Sequence, residues 1–329
     1  MLEHGGRLRA AAQHYGIALA DWLDLSTGVA PHPLALPAIP LSAWARLPES
    51  DDGLEAAARD YYGARDLLAV AGSQAAIQAL PRLRRRARVG VVSPCYAEHA
   101  EAWRREGHQL LELSEAGVPQ ALDQLDVLVV VNPNNPTGQL IAPRRLLEWH
   151  AALAACGGWL VVDEAFMDCT PQYSLAGHSQ LPGLIVLRSF GKFFGLAGAR
   201  LGFVLAHAGL LRALAELLGP WTVNGPTRLL GATLLADRAG QQHQRESLHA
   251  DGQRLADLLR RHDLAPLGGC ALFQWWVSAD APSLHDFLAR RGILTRLFEQ
   301  PSSVRFGLPG AEGWTRLEQA LQSFREQHP

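Results

Sequence analysis

Lysine is almost missing from this chain of 329 residues, whose 30 basic side chains are nearly all arginine. A lysine that does occur therefore stands out. Excess charge is missing too: 30 basic against 32 acidic residues leave a net charge of -2. That balance argues against nucleic acid or an anionic membrane as the main partner. Cysteine is scarce, and Cys95, Cys156, Cys169 and Cys270 form no CxxC pair. Scattered thiols of this kind imply a reducing cytoplasm. The 13 histidines show no HExxH or comparable spacing, so no metal site is expected. No apolar run is long enough to span a bilayer, and MLEHGGRLRAAAQHYG lacks the apolar centre of a signal peptide. The expectation is a soluble cytoplasmic protein. No GxGxxG follows an early strand, which disfavours a plain dinucleotide-binding protein. Internal repeats and low-complexity segments are likewise lacking.

What is present is a long chain with 48% hydrophobic residues, enough for one large domain and a smaller one. Residues 1–47 read as an arm, with a short helix over Arg7–His14, a short strand in DWLDLS and an irregular STGVAPHPLALPAIP. Residues 48–220 read as the large domain and 221–329 as the small one. In the large domain, LLAVAGSQAAIQAL is a strand, a Gly-Ser turn and a helix start. Strand candidates Val89–Val92, His108–Leu113, Asp126–Val131, Trp159–Val162 and Leu184–Arg188 alternate with helical pattern. Alternation predicts an α/β fold with a mostly parallel sheet sandwiched by helices. Leu201–Leu205 follows too closely for a helical crossover and is expected antiparallel. One long helical stretch runs from Thr227 towards Arg261. Beyond it, strands at Ala271–Ser278, Ile293–Leu297 and Ser303–Leu308 with a helix at Ser283–Arg291 suit a small α+β domain. The five arginines from Arg82 to Arg88 read as a solvated helix end.

In parallel α/β sheets, ligands sit beyond the carboxyl ends of the strands. Those ends read Gly72-Ser73-Gln74, Ser93-Pro94-Cys95-Tyr96, NPNNPTG from Asn132, Asp163-Glu164-Ala165-Phe166 and SFGKFFGLAGARLG from Ser189. Each piece has a plain alternative: Ser73 as a helix cap, Tyr96 as a core aromatic, NPNNPTG as a rigid turn, Lys192 as a solvated loop residue. Together they complement one molecule. Lys192 offers an amine for an aldehyde. Asp163 ends an apolar strand, where an unpaired carboxylate is costly and a cationic ring nitrogen suits it. Asn135 offers an amide to a ring oxygen and Tyr96 a face to stack on. Ser73, Gln74, Ser189 and Arg200 can surround a phosphate, Arg200 as a two-pronged donor. The molecule is pyridoxal phosphate.

NPNNPTG, DEAF and SFGKFFGLAGARLG resemble the signature of fold-type I pyridoxal-phosphate enzymes of the class I/II aminotransferase family, over nearly the whole chain. The resemblance implies that Lys192 binds the cofactor aldehyde, Asp163 keeps the ring nitrogen protonated, Asn135 bonds the ring oxygen and Tyr96 stacks on the ring, with Gly72 in the phosphate turn. It also implies that Arg305, in SSVRFGLP, takes a substrate carboxylate. Length, HGG (His4–Gly6), DLSTGVAP and DEAFMD resemble the branch that decarboxylates L-threonine O-3-phosphate in cobalamin biosynthesis. Candidates for the substrate anions are Arg305, Arg296, His4 and Arg7, with Gly28 and Asn135 also at the substrate. The resemblance implies a homodimer. An aminotransferase acting on histidinol phosphate is the nearest rival, and a non-catalytic ligand sensor on the same fold a more distant one. Two departures from the family are visible. Phe166 replaces a frequent tyrosine, and Leu47-Pro48 stands where relatives commonly carry a tyrosine that reaches the neighbouring subunit.

Overall fold

The computed structural model describes residues 4–327. It divides into two compact units. One comprises Pro33–Asn135 and Leu140–Gln244; the other takes the chain before Pro33, the short excursion Pro136–Gln139, and the chain from Arg245 onward. The boundaries thus fall elsewhere than at 47/48 and 220/221. The helix Gly225–Ala236 stays in the larger unit, and a Cβ on Gly225 would lie 2.4 Å from the carbonyl oxygen of Ala43.

The larger unit is built on a seven-stranded sheet. In chain order its strands are β1 (Leu67–Val70), β2 (Arg88–Val92), β3 (Gln109–Leu113), β4 (Val127–Val131), β5 (Trp159–Asp163), β6 (Leu184–Ser189) and β7 (Gly202–Ala206). Across the sheet they run β1-β7-β6-β5-β4-β2-β3. Only β7 opposes the others, pairing antiparallel with both β1 and β6. The parallel strands β4 to β6 are apolar on both faces because helices cover both. On one face Val89, Val127, Val161, Ile185 and Val204 pack with Ile77, Trp103 and Leu214 from three helices. On the other, the Tyr62 ring meets Phe203 at 5.5 Å between centroids.

The stretch from Thr227 to Arg261 is two helices, Gly225–Ala236 and Arg238–Arg261, not one. Asp237 leaves helical geometry at ψ 80°, and its side chain accepts from the Gly240 amide at 2.9 Å to start the second helix.

The smaller unit carries a four-stranded antiparallel sheet. Its strands are β8 (Gly268–Cys270), β9 (Phe273–Val277), β10 (Arg296–Phe298) and β11 (Ser303–Gly307), ordered β10-β11-β9-β8. The glycine-rich β8 gives little propensity signal and is absent from the sequence expectation. The expected strand Ile293–Leu297 divides: Ile293 and Leu294 pair instead with Leu23 and Asp24 of the DWLDLS segment. The N-terminal helix spans Leu8–Tyr15 and ends on Gly16 with φ 67°.

Candidate active site

In the larger unit the carboxyl ends of β4, β5 and β6 bring the expected cofactor residues to one edge of the sheet. Strand β6 ends at Ser189, and Lys192 lies in the short helix Phe190–Phe193 that follows at once. Lys192 is the only lysine in the chain. Its Nζ lies 5.8 Å from the centre of the Phe166 ring. Phe166 gives it an aromatic face, without the hydroxyl that a tyrosine would bring.

Strand β5 ends at Asp163, which is 3% exposed. The sequence reading left this carboxylate to a ligand, but the protein itself supplies two partners. Oδ1 accepts from the Ala165 amide at 3.0 Å, and Oδ2 lies 2.8 Å from Nε2 of His99. Both side chains are buried. His99 was missed; it lies in the first turn of the helix Glu98–Arg105, just beyond the turn that bears Tyr96. The Cys95 thiol beside this carboxylate is pushed up to about 12, by burial first and then by Asp163 and Glu112.

Asn135 follows β4 in a loop that Asn132 clamps at its base. The Asn132 amide donates to the Ile141 carbonyl at 3.1 Å and its Oδ1 accepts from the Ile141 amide at 2.8 Å. Asn134 donates to the Pro94 carbonyl at 2.8 Å, joining this loop to the turn that bears Tyr96. The Tyr96 ring meets His99 edge-on at 6.2 Å and its hydroxyl donates to Gln74 Oε1 at 3.1 Å. Burial, then Glu98 and Asp163, pushes that phenol up to about 12, so it stays protonated at neutral pH.

The phosphate group of residues also comes together. The helix Ser73–Ala79 starts after Gly72, and Ser73 is its first residue, not its cap. Its first-turn amides point outward from the helix. The Gln74 side-chain amide donates to Glu98 at 2.8 Å while its oxygen holds Tyr96, leaving its backbone for an anion. Ser189 pairs in register with Gly202. A Cβ on Gly202 would sit 2.5 Å from the Ser73 amide nitrogen, and one on Gly72 2.8 Å from Nη2 of Arg200. Only glycine lets helix start, strand end and guanidinium converge so closely. Arg200 itself has φ 55°, a left-handed conformation that costs a non-glycine residue about 1–2 kcal/mol. Strain of this kind gathers at ligand clamps. The glycine-walled cradle, the buried carboxylate and the lone amine fit pyridoxal phosphate.

Beneath these residues lies a buried ion cluster. Arg188, on β6, bonds Glu164 at 2.7 Å and Asp168 at 2.8 Å, with all three side chains at most 2% exposed. Tyr61 donates to Asp168 at 2.9 Å, and the Arg188 guanidinium lies 4.5 Å from the centre of the Tyr62 ring. The cluster ties the ends of β5 and β6 together, one residue from Asp163 and one from Ser189.

Except for Asn135, the expected substrate residues fall in the smaller unit, where Arg305 and the segment after His4 meet at Ser26. Its carbonyl accepts from Arg305 Nη2 at 2.8 Å and its hydroxyl accepts from the Gly6 amide at 2.7 Å. A Cβ on Gly5 would meet the Ser26 carbonyl at 2.3 Å. The His4–Arg7 segment is thus pinned against the backbone that Arg305 holds, with His4 and Arg7 exposed and Gly28 buried two residues beyond Ser26. Arg296 is the direct cross-strand partner of Arg305. Burial, with Arg296 next, lowers the Arg305 guanidinium to about 10. Two guanidiniums side by side call for anionic company.

The profile of the aminotransferase class I and II family matches residues 39–322. A threonine-phosphate decarboxylase of Pseudomonas aeruginosa is 67% identical over 327 residues, covering 99% of this chain and 99% of that one. A threonine-phosphate decarboxylase from a Sinorhizobium species is 44% identical and covers 97% of both. The solved structure of histidinol-phosphate aminotransferase from Sinorhizobium meliloti, in complex with pyridoxal-5'-phosphate, superposes with a TM-score of 0.83 over 100% of this chain and 96% of its own, at 19% identity. That last likeness bears on the fold alone. Among the described residues no helix is long and apolar enough to cross a membrane.

Proposed function

Because this chain belongs to the aminotransferase class I and II family, we propose that it is a pyridoxal-phosphate-dependent decarboxylase of L-threonine O-3-phosphate. Its product is then (R)-1-amino-2-propanol O-2-phosphate, for the corrinoid side chain of cobalamin. The observation that carries the reading is the full-length, 67% identical decarboxylase relative.

When bound, pyridoxal phosphate supplies an aldehyde for the substrate amine and a cationic ring that takes up the electron pair left by carbon dioxide. Lys192 would hold the cofactor through Nζ, and the same amine would carry a proton to the substrate Cα. Asp163, fixed by His99 and Ala165, keeps the ring nitrogen protonated. Asn135 donates to the ring oxygen, a role that Phe166 cannot share. Tyr96 covers a ring face, while Gly72, Ser73, Ser189, Arg200 and the Gln74 amide hold the phosphate. Arg305 takes the substrate carboxylate and Arg296 the substrate phosphate, with His4, Arg7 and Gly28 completing the set. Their grip would fix the rotation about Cα and so decide which substrate bond is broken.

The same reading includes a homodimer working in the cytoplasm. In support, Leu36, Leu41, Trp44 and Leu47 are 58%, 80%, 65% and 65% exposed within twelve residues of chain, and Trp221 is 60% exposed. None of the four cysteines, all among the described residues, is in a disulfide.

Single turnover of the purified holoenzyme with L-threonine O-3-phosphate, without any 2-oxo acid, tests the reading. Carbon dioxide release with the cofactor still as pyridoxal phosphate is the expected outcome. Conversion to the pyridoxamine form without carbon dioxide makes the protein a transaminase and overturns the assignment.

A further inference from the structure

One row of the small sheet carries more than its two arginines. Register places Arg296 opposite Arg305, Arg305 opposite Trp275, and Trp275 opposite Gly268. Directly opposed residues on adjacent strands share a face, with Cβ atoms roughly 4.5–5.5 Å apart. The row therefore reads guanidinium, guanidinium, indole, glycine. Phe273, two residues from Trp275 and on the same face, stacks under Arg305 at 5.1 Å from its ring centre.

Trp275 is 6% exposed, yet its indole Nε1 is a buried donor with no acceptor among the described residues. Buried indole N–H groups nearly always find a partner, because leaving one unpaired costs about 1–3 kcal/mol. Trp275 stands directly across from Arg305, on a row that also carries Arg296. At Gly268 the row offers no side chain, and a Cβ there would press against the Thr137 carbonyl at 2.1 Å and the Trp275 ring at 3.8 Å.

We propose that Trp275 is a substrate-specificity residue, donating its indole N–H to the same substrate carboxylate that Arg305 binds. This rests on the decarboxylase reading above. The chemistry suits the site. A carboxylate offers several acceptor positions, and one guanidinium fork occupies only two of them. A neutral donor fills a third without adding a further cation next to Arg296 and Arg305. Two donors at an angle fix the carboxylate plane, where one fork alone leaves it free to rock.

The test is Trp275→Phe in the holoenzyme, with melting temperature and cofactor absorbance as controls for folding. Loss of a hydrogen bond to a charged group predicts a rise of about ten- to a hundredfold in KM for L-threonine O-3-phosphate. Inhibition by 1-amino-2-propanol O-2-phosphate, which lacks the carboxylate, stays within about twofold of the parent. An unchanged KM overturns the inference, as does an equal weakening for the carboxylate-free amine. If the parent holoenzyme itself releases no carbon dioxide, it is the decarboxylase reading that fails. Should Trp275→Phe not fold, the parent protein labelled with 15N-tryptophan answers the question. Adding 3-phosphooxybutanoate, which has both anions and no amine, shifts a buried indole N–H signal downfield; no shift at saturation overturns the proposal.

Discussion

Replacing Arg188 by methionine isolates what the buried ion cluster contributes. The change keeps an unbranched side chain of similar reach against Tyr62 and removes the charge. Glu164 and Asp168 then face each other in the core with their shared cation gone. Breaking a buried ion pair by removing one partner costs about 3–5 kcal/mol. Unfolding entropy of about 2.1 cal/mol/K per residue gives about 0.7 kcal/mol/K for this length, so the melting temperature drops by about 4–7 °C. The pH dependence follows from Glu164, whose carboxyl burial already holds above its ordinary value, with Arg188 the largest opposing influence. Without Arg188 that carboxyl rises further. Between the unfolded value, near 4.3, and the raised folded one, the native state binds more protons than the unfolded state. Stability of the variant therefore falls as pH rises through that window, and the deficit against the parent shrinks towards pH 5. Calorimetry of apoprotein at pH 5 and pH 8 reads both effects, and Glu164→Gln/Asp168→Asn added to Arg188→Met restores most of the loss. A melting temperature within 1 °C of the parent at pH 8, or a deficit that grows on acidification, refutes the reasoning.

Three other outcomes are expected. His99→Phe leaves Asp163 Oδ2 buried without its 2.8 Å partner and lowers kcat about ten- to a hundredfold, while His99→Asn loses less; steady-state kinetics read the difference. Gly72→Ala sets a Cβ 2.8 Å from Arg200 Nη2 at φ 76°, so equilibrium dialysis gives about tenfold weaker pyridoxal phosphate binding with only about 1 kcal/mol lost in stability. At pH 8, iodoacetamide alkylates exposed Cys156 first and leaves Cys95 intact, because a thiol pushed up to about 12 holds almost no thiolate there; tryptic mass mapping tells the two apart.

The larger unit was readable because its signals are local. Apolar β-branched runs such as Val127–Val131 announce buried strands, and the residues after them announce what a strand end presents. What escaped is mutual. Asp163 looked like a carboxylate awaiting a ligand because nothing in DEAF says that His99, 64 residues away, turns back to it. That the Gln74 side chain is committed to Tyr96 and Glu98, leaving its backbone for the phosphate, depends on packing between distant segments. Gly202 drew no notice, since a glycine's demand for close approach shows only once Ser73 is seen against it. In the smaller unit, Arg296 and Arg305 were both singled out, but their being neighbours is a matter of strand register, which the nine-residue separation did not reveal. The boundary between units escaped for a related reason, because the helix after Asn224 keeps company with residues far earlier in the chain.

A chain whose single side-chain ε-amine stands at the end of β6 has concentrated one kind of reactivity at one address. Acylating, carbamylating or glycating agents that decorate most proteins at many places find one lysine here, and it is the residue proposed above to hold the cofactor. Damage by such agents would be nearly invisible by mass, yet complete in its effect. The same scarcity is useful at the bench: reduction with borohydride leaves the cofactor's label on a single tryptic peptide, so the fraction of loaded protomers can be counted directly.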